Sequence, residues 1–94
     1  MNTNLLNHSS FYLFTFSATS QALKAEKVLK SFQADFLLIP TLREISASCG
    51  LSVRLAPENL KQYFHELVEN GVSVEGVYHV EKEGKQNQIQ KIES

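Results

Sequence analysis

The spacing of the apolar residues constrains the fold of this chain more than any other feature. Four short segments are apolar throughout or alternate with period two, as strands do: residues 11–16, 36–39, 51–55 and 72–80. Two longer segments, residues 20–32 and 57–70, repeat their apolar positions every three or four residues, as amphipathic helices do. The predicted order of elements is therefore β-α-β-β-α-β.

Right-handed crossovers give this order the split β-α-β, or ferredoxin-like, arrangement of an α+β domain. We expect a four-stranded antiparallel sheet in the spatial order 4-1-3-2, with two helices on one face. A chain of 94 residues suits one domain, which we predict to span residues 11–80. The polar residues 1–10 and 81–94 are predicted to be a flexible amino-terminal tail and a solvated carboxyl-terminal tail.

Local signals refine this outline. Residues 17–20 offer hydroxyl side chains that could cap the first helix. A short helical turn is expected between Leu42 and Ser48, ended by Gly50 in the left-handed conformation. Gly76 indicates a bulge in the last strand.

The overall composition argues against several classes of function. Nine basic and ten acidic residues give a net charge of −1, without the basic surplus of a nucleic-acid-binding domain. No apolar run approaches the roughly 18 residues that span a bilayer, and residues 1–10 lack the pattern of a secretory signal. A single cysteine fits a reducing compartment, so we expect a cytoplasmic protein that binds neither nucleic acid nor membrane.

The histidines do not suggest a metal or hydrolytic site. His8, His65 and His79 are spread along the chain, and no spaced set of cysteines or carboxylates accompanies them. His79 is the one histidine that the fold could bring to Cys49 as a base, and it is predicted to lie some way down the last strand. We therefore expect no metal and no cofactor.

Cys49 is the strongest candidate for chemistry. In the predicted topology its connection, between the second and third strands, lies at the same end of the sheet as the start of the first helix, near Ser17. The partial positive charge of a helix amino terminus favours an anion, and Arg43 shares the connection with Cys49. We expect an exposed or half-exposed thiol here. The structural alternatives are a buried Cys49 that serves as a small apolar residue, and an Arg43 that pairs on the surface with Glu44 or Asp35.

Two motifs in the sequence are distinctive. The first motif is Phe16-Ser17 followed by Ala22-Leu23-Lys24-Ala25-Glu26. The second follows the pattern Pro-x-x-Arg-x-x-Ser-x-x-Cys-Gly and consists here of Pro40, Arg43, Ser46, Cys49 and Gly50. Together they resemble a known family of small bacterial proteins, the selenium/sulfur carrier protein-like family, with a similarity that runs from about residue 11 to residue 78. The family often has a second proline where this chain has Leu42.

The resemblance implies a carrier rather than an enzyme, with sulfur or selenium held on Cys49 as a persulfide or selenopersulfide. Its supporting residues would be Arg43, Gly50, Ser17 and Ser46. Its partners would be proteins that donate and accept the sulfur or selenium.

A second hypothesis is a non-catalytic interaction or regulatory domain that works through the open face of the sheet. The first strand is apolar on both faces, with Phe14 and its neighbours on one face and Phe11 and Leu13 on the other. A strand covered on one face alone should be polar on the other. This pattern predicts either partial cover by the tails or a contact with a second copy or another partner. Because ferredoxin-like folds host many functions, the fold does not decide between the two hypotheses.

Overall fold

A computed structural model describes residues 10–45, 47–83 and 86–93 of the protein. The described chain is an α+β domain with these elements in order: β1 Ser10–Phe16, α1 Thr19–Ser31, β2 Leu37–Pro40, β3 Leu51–Leu55, a 3-10 turn Pro57–Asn59, α2 Leu60–Glu69, β4 Val74–Glu83 and β5 Gln86–Glu93. Within these residues, no helix is long and apolar enough to cross a membrane.

The five strands form one antiparallel sheet in the order β2-β3-β1-β4-β5. β1 is central, and its Tyr12 lies opposite Leu55 of β3 on one side and His79 of β4 on the other. The expectation of a four-stranded sheet is wrong, because residues 86–93 pair with β4 as a fifth strand.

Period-two alternation does not reveal the fifth strand, and the reason is physical. It lies at the edge of the sheet, where polar side chains are normal. Its pairing is also irregular, since Val77 lies opposite Glu93 but Tyr78 lies opposite Lys91. Ile92 is therefore an extra residue between two pairs, and its spacing from Ile89 is three rather than two.

The ends of the helices differ in part from the prediction. Ala18 is the N-cap of α1 and makes no side-chain cap, so the predicted hydroxyl cap is wrong. Pro57 begins the 3-10 turn that leads into α2, which suits its fixed φ. After α2, Gly71 adopts a φ of 78°, and its amide donates to the carbonyl of Val68. Such a left-handed residue ends a helix at least cost when it is glycine.

The main core lies between the helices and one face of the sheet. Phe14 and Phe16 of β1 are fully buried there, together with Leu29 of α1 and Leu67 of α2. Tyr63 is also in this core, and its hydroxyl accepts a hydrogen bond of 2.9 Å from the amide of Asp35. This is the layer that the helical and strand periodicities predict.

A second, smaller core lies on the other face. Phe11 and Leu13 of β1 are buried there with Val80 and Ile45, and Leu42, Ala47 and other partly buried residues pack against them. Ile45 belongs to the connection between β2 and β3, so this connection folds over the face that was expected to be open. The guanidinium of Arg54 lies 3.8 Å from the centroid of the Phe11 ring, and burial lowers the pKa of Arg54.

Candidate functional site

The connection between β2 and β3, residues 41–50, is closed at its base by Thr41. The amide of Thr41 donates to the carbonyl of Gly50 at 2.9 Å. The hydroxyl of Thr41 donates to the carbonyl of Cys49 at 3.0 Å and lies 2.7 Å from the hydroxyl of Ser52, which is fully buried. These bonds fix where the chain leaves β2 and where it enters β3. The predicted left-handed Gly50 is wrong, since Gly50 does not have a positive φ.

The connection crosses from one face of the sheet to the other. Ile45 packs in the second core, whereas Cys49 packs in the main core beneath the helices. Cys49 is therefore only 2% exposed, and the expectation of an exposed or half-exposed thiol is wrong. The expectation treated the connection as a surface loop, but its two ends bury side chains in two different cores.

The immediate surroundings of the Cys49 sulfur are polar, although the residue is buried. Its Sγ accepts a hydrogen bond of 3.3 Å from the amide of Leu51. Its thiol points to the hydroxyl of Thr19, with 3.7 Å between Sγ and Oγ1. Thr19 is the first residue of α1, so the predicted position of Cys49 near the amino end of the first helix is confirmed.

The groups nearest the sulfur are the amino end of α1 and a backbone amide. The amino end of α1 carries the positive end of the helix dipole. Its first turn has no acidic residue, and its N-cap, Ala18, makes no side-chain cap. The amide of Leu51 donates a hydrogen bond to the sulfur itself.

Glu75 is a site residue that the sequence did not identify. Its carboxylate accepts two hydrogen bonds from Ser48, one from the backbone amide at 3.2 Å and one from the hydroxyl at 3.0 Å. We call this pair of bonds the Ser48–Glu75 clasp. It ties the residue before Cys49 to the beginning of β4.

Glu75 is placed by a bulge. Thr15 pairs with Gly76 and Phe16 pairs with Val74, so Glu75 is an extra residue between two consecutive pairs. The bulge expected at Gly76 is therefore found one residue earlier. A bulge turns a side chain away from its regular direction, and here the turned side chain is the one that binds Ser48.

The other predicted site residues are more peripheral. Arg43 and Ser17 are exposed, and neither bonds Cys49 within the described part of the chain. Gly50 is exposed as well, and a Cβ built on it would meet no atom within 4 Å. Ser46 lies outside the described residues. The structure thus gives no steric reason for glycine at position 50.

His79 does not reach Cys49. Its Nε2 is 2.8 Å from the hydroxyl of Ser10, and its ring lies 4.9 Å from the ring of Tyr12. Both partners lie in the first half of β1, whereas Thr19 follows the end of that strand. Among the described residues, no cluster of three or more histidines, cysteines or carboxylates could hold a metal ion.

An open groove of about 330 Å³ lies elsewhere on the helical face. It is lined by Leu60, Lys61, Phe64, Val77 and Ile92. Its lining comes from α2, β4 and β5. None of its residues bonds Cys49, so we do not assign the groove to the chemistry of the thiol.

Comparison with known proteins finds a matching family and a curated relative. A family described as "Putative Se/S carrier protein-like" matches residues 11–79. A curated relative from Aquifex aeolicus (strain VF5), named "Putative sulfur carrier protein", is 35% identical over 77 residues. These residues are 80% of this chain but 38% of the relative, so the chain spans well under half of the relative's length. No solved structure matches the chain.

Proposed function

We propose that this chain, which belongs to the family described as "Putative Se/S carrier protein-like", carries sulfur or selenium on Cys49. The observation that carries the proposal is the setting of Sγ, between the amide of Leu51 and the uncapped amino end of α1. The family and the name of the Aquifex aeolicus relative support the carrier class. Because that relative is much longer, the activity its name describes is extended to this chain by proposal alone.

The loading step is an exchange between sulfur atoms. The Cys49 thiolate attacks the outer sulfur of a persulfide held by a donor protein. A new S–S bond forms on Cys49, the S–S bond of the donor breaks, and the donor's own sulfur leaves as a thiolate. No net oxidation occurs, since the transferred sulfur keeps its oxidation level. Selenium would follow the same balance as a selenopersulfide.

The residues around Cys49 hold the reacting sulfur. The Leu51 amide donates to Sγ and holds it in place. The Thr19 hydroxyl, which accepts from the thiol at rest, can rotate and donate to the thiolate. We assign Arg43, Ser17 and Gly50 to the surface that meets the donor or acceptor, since all three are exposed and belong to the segments that meet at the Cys49 end of the sheet.

Intact-mass spectrometry tests the proposal. The protein is incubated with a cysteine desulfurase and cysteine, and its mass is measured before and after a reductant is added. We expect the gain of one sulfur atom per chain, its loss on reduction, and no gain in Cys49→Ser. Because the chain has one cysteine, any reducible gain is assigned without peptide mapping. A wild-type protein that stays unmodified would overturn the proposal.

The finer features of the protein are proposed on the same basis. We assign the architecture to the ferredoxin-like class with an added edge strand, a choice supported by the strand order β2-β3-β1-β4. We place the protein in the cytoplasm, where its single thiol stays reduced, with donor and acceptor proteins as partners and no resident cofactor. A homodimer is also proposed, to be checked by light scattering.

The interaction-domain hypothesis depends on an open sheet face. Phe11 and Leu13, the apolar residues on that face of β1, are 4% and 0% exposed, because Ile45 and its neighbours cover them. The carrier proposal therefore has the stronger support. A protein that fails the mass test but binds a partner through the sheet face that bears Phe11 and Leu13 would favour the alternative.

A further inference from the structure

A buried thiol cannot exchange sulfur without a change in its cover. Cys49 is 2% exposed, and a persulfide adds a sulfur about 2.05 Å beyond Sγ. The outer sulfur of a donor must also approach Sγ in line with the bond that breaks. Some part of the cover must therefore move during loading, and the bonds around Cys49 indicate which part.

The bonds of the connection fall into two groups. Thr41 bonds to the Cys49 and Gly50 carbonyls at the base of the connection, next to the β2–β3 ladder and the buried Ser52. The Ser48–Glu75 clasp instead joins an exposed residue to the start of β4, from a distance of 27 residues in sequence. Exposed hydrogen bonds open at lower cost than bonds within a buried ladder.

The hydrogen-bond geometry of the clasp is also specific. Two donors of one residue converge on the two oxygens of one carboxylate, and hydrogen bonds to an ionised acceptor are stronger than neutral ones. The carboxylate is aimed by a bulge that interrupts the β1–β4 pairing for one residue. A bulge costs regular pairing, and bulges recur next to functional sites.

We propose that Glu75 is a positioning residue that controls access to Cys49 by holding Ser48. With the clasp formed, residues 47–50 keep Sγ under the amino end of α1. With the clasp broken, residues 47 and 48 move away from β4, and Sγ meets solvent or a donor while the base, where Thr41 holds the carbonyls of Cys49 and Gly50, stays closed. The inference rests on the proposed function of Cys49, and it names the contact that regulates that site.

The rate at which iodoacetamide alkylates Cys49 in the folded protein tests this inference. Glu75→Ala removes both bonds of the clasp, and we expect alkylation about tenfold faster, the factor that corresponds to about 1.4 kcal/mol. Ser48→Ala removes the hydroxyl bond without changing any charge, and we expect about a threefold increase, as suits one exposed hydrogen bond. Glu69→Ala, which removes an exposed carboxylate at the end of α2, is the matched control and should leave the rate unchanged.

Two further measurements separate the clasp from other effects. Glu75→Gln keeps an acceptor oxygen but loses the charge, so its alkylation rate should fall between those of wild type and Glu75→Ala. If Glu75→Gln is alkylated as fast as Glu75→Ala while Ser48→Ala is alkylated at the wild-type rate, the effect is one of charge and the proposal is overturned. Hydrogen exchange of the Leu51 amide, which donates to Sγ, should speed up in Glu75→Ala and Ser48→Ala alike. This exchange does not depend on the chemistry of the thiol.

The outcomes distinguish this inference from the carrier proposal. Faster alkylation in Glu75→Ala and Ser48→Ala, with unchanged denaturation midpoints, supports the positioning role even if no sulfur is loaded. Equal rates in all variants overturn it even if wild type loads sulfur normally. If Glu75→Ala fails to fold, the charge-neutral Ser48→Ala and the exchange of Leu51 still decide the result.

Discussion

The two faces of the sheet are both covered, but by different kinds of structure. On one face, α1 and α2 pack on Phe14, Phe16 and other fully buried residues. On the other face, Ile45 and partly buried neighbours from the connection between β2 and β3 cover Phe11 and Leu13. The helical cover is continuous and hydrogen-bonded within itself. The connection between β2 and β3, which we call the irregular cover, is held by the buried Ile45, by Thr41 at its base and by the Ser48–Glu75 clasp at its far end.

This difference bears on the position of Cys49, the proposed carrier residue. Helices with a buried stripe open at a high free energy, toward that of global unfolding, because their packing is cooperative. An irregular segment with a few anchors opens alone at lower cost. Cys49 is at the end of the irregular cover yet inserts its side chain into the helical core, so the thiol is protected at rest and lies within reach of a small movement.

The largest effect should come from the helical face. Phe14→Ala should lower the free energy of unfolding by about 3–5 kcal/mol, because it removes a fully buried ring from the main core. Urea denaturation followed by circular dichroism measures the change. A loss below about 1 kcal/mol would mean that this face is not the principal core.

A smaller effect is expected from the irregular face. Ile45→Ala should cost about 2 kcal/mol, the low end for a buried isoleucine, because Ile45 belongs to an irregular segment that can adjust around the lost side chain. It should also increase the alkylation rate of Cys49 well below the urea midpoint. If Ile45→Ala is as costly as Phe14→Ala and leaves alkylation unchanged, the two covers are energetically alike and the comparison fails.

Gly71, which follows α2, and Gly50, which ends the connection between β2 and β3, should respond differently to substitution by alanine. Gly71 has a φ of 78°, so Gly71→Ala should cost about 1–2 kcal/mol through left-handed backbone strain. Gly50 has no positive φ and open space at its Cβ position, so Gly50→Ala should change stability by less than about 0.5 kcal/mol. Thermal denaturation of the two variants side by side measures both. A costly Gly50→Ala would reveal a constraint on the connection that the resting structure does not contain.

The helical face could be predicted from the sequence, and the irregular face could not. Leu67 and its neighbours repeat with helical spacing, and Phe14 lies in the aromatic-rich run 11–16, which is typical of a strand. Both patterns therefore indicate burial. Ile45 is one apolar residue in a segment without a period, and nothing local shows which face it will cover. β5 was missed for the same reason, because the extra residue Ile92 interrupts its alternation.

The features of the candidate site divide in the same way, into those that the sequence predicts and those that it does not. The position of Cys49 beside the start of α1 was predictable, because topology alone brings those two ends together. Its burial was not, since it depends on how the connection crosses the sheet. Glu75 was out of reach because its role arises from a bulge and from a partner 27 residues away. The one local signal was Gly76, which predicted a bulge but not its consequence.

The most direct test of the account is whether Cys49 both receives and releases sulfur. The protein is loaded by a cysteine desulfurase, separated from it, and mixed with a thiol acceptor of distinct mass, and both masses are followed with time. We predict that one sulfur leaves each chain and appears on the acceptor as a persulfide, that Cys49→Ser carries none, and that Ser48→Ala exchanges faster than wild type. A chain that never gains sulfur, or that gains it on Cys49 and never passes it on, would contradict the account.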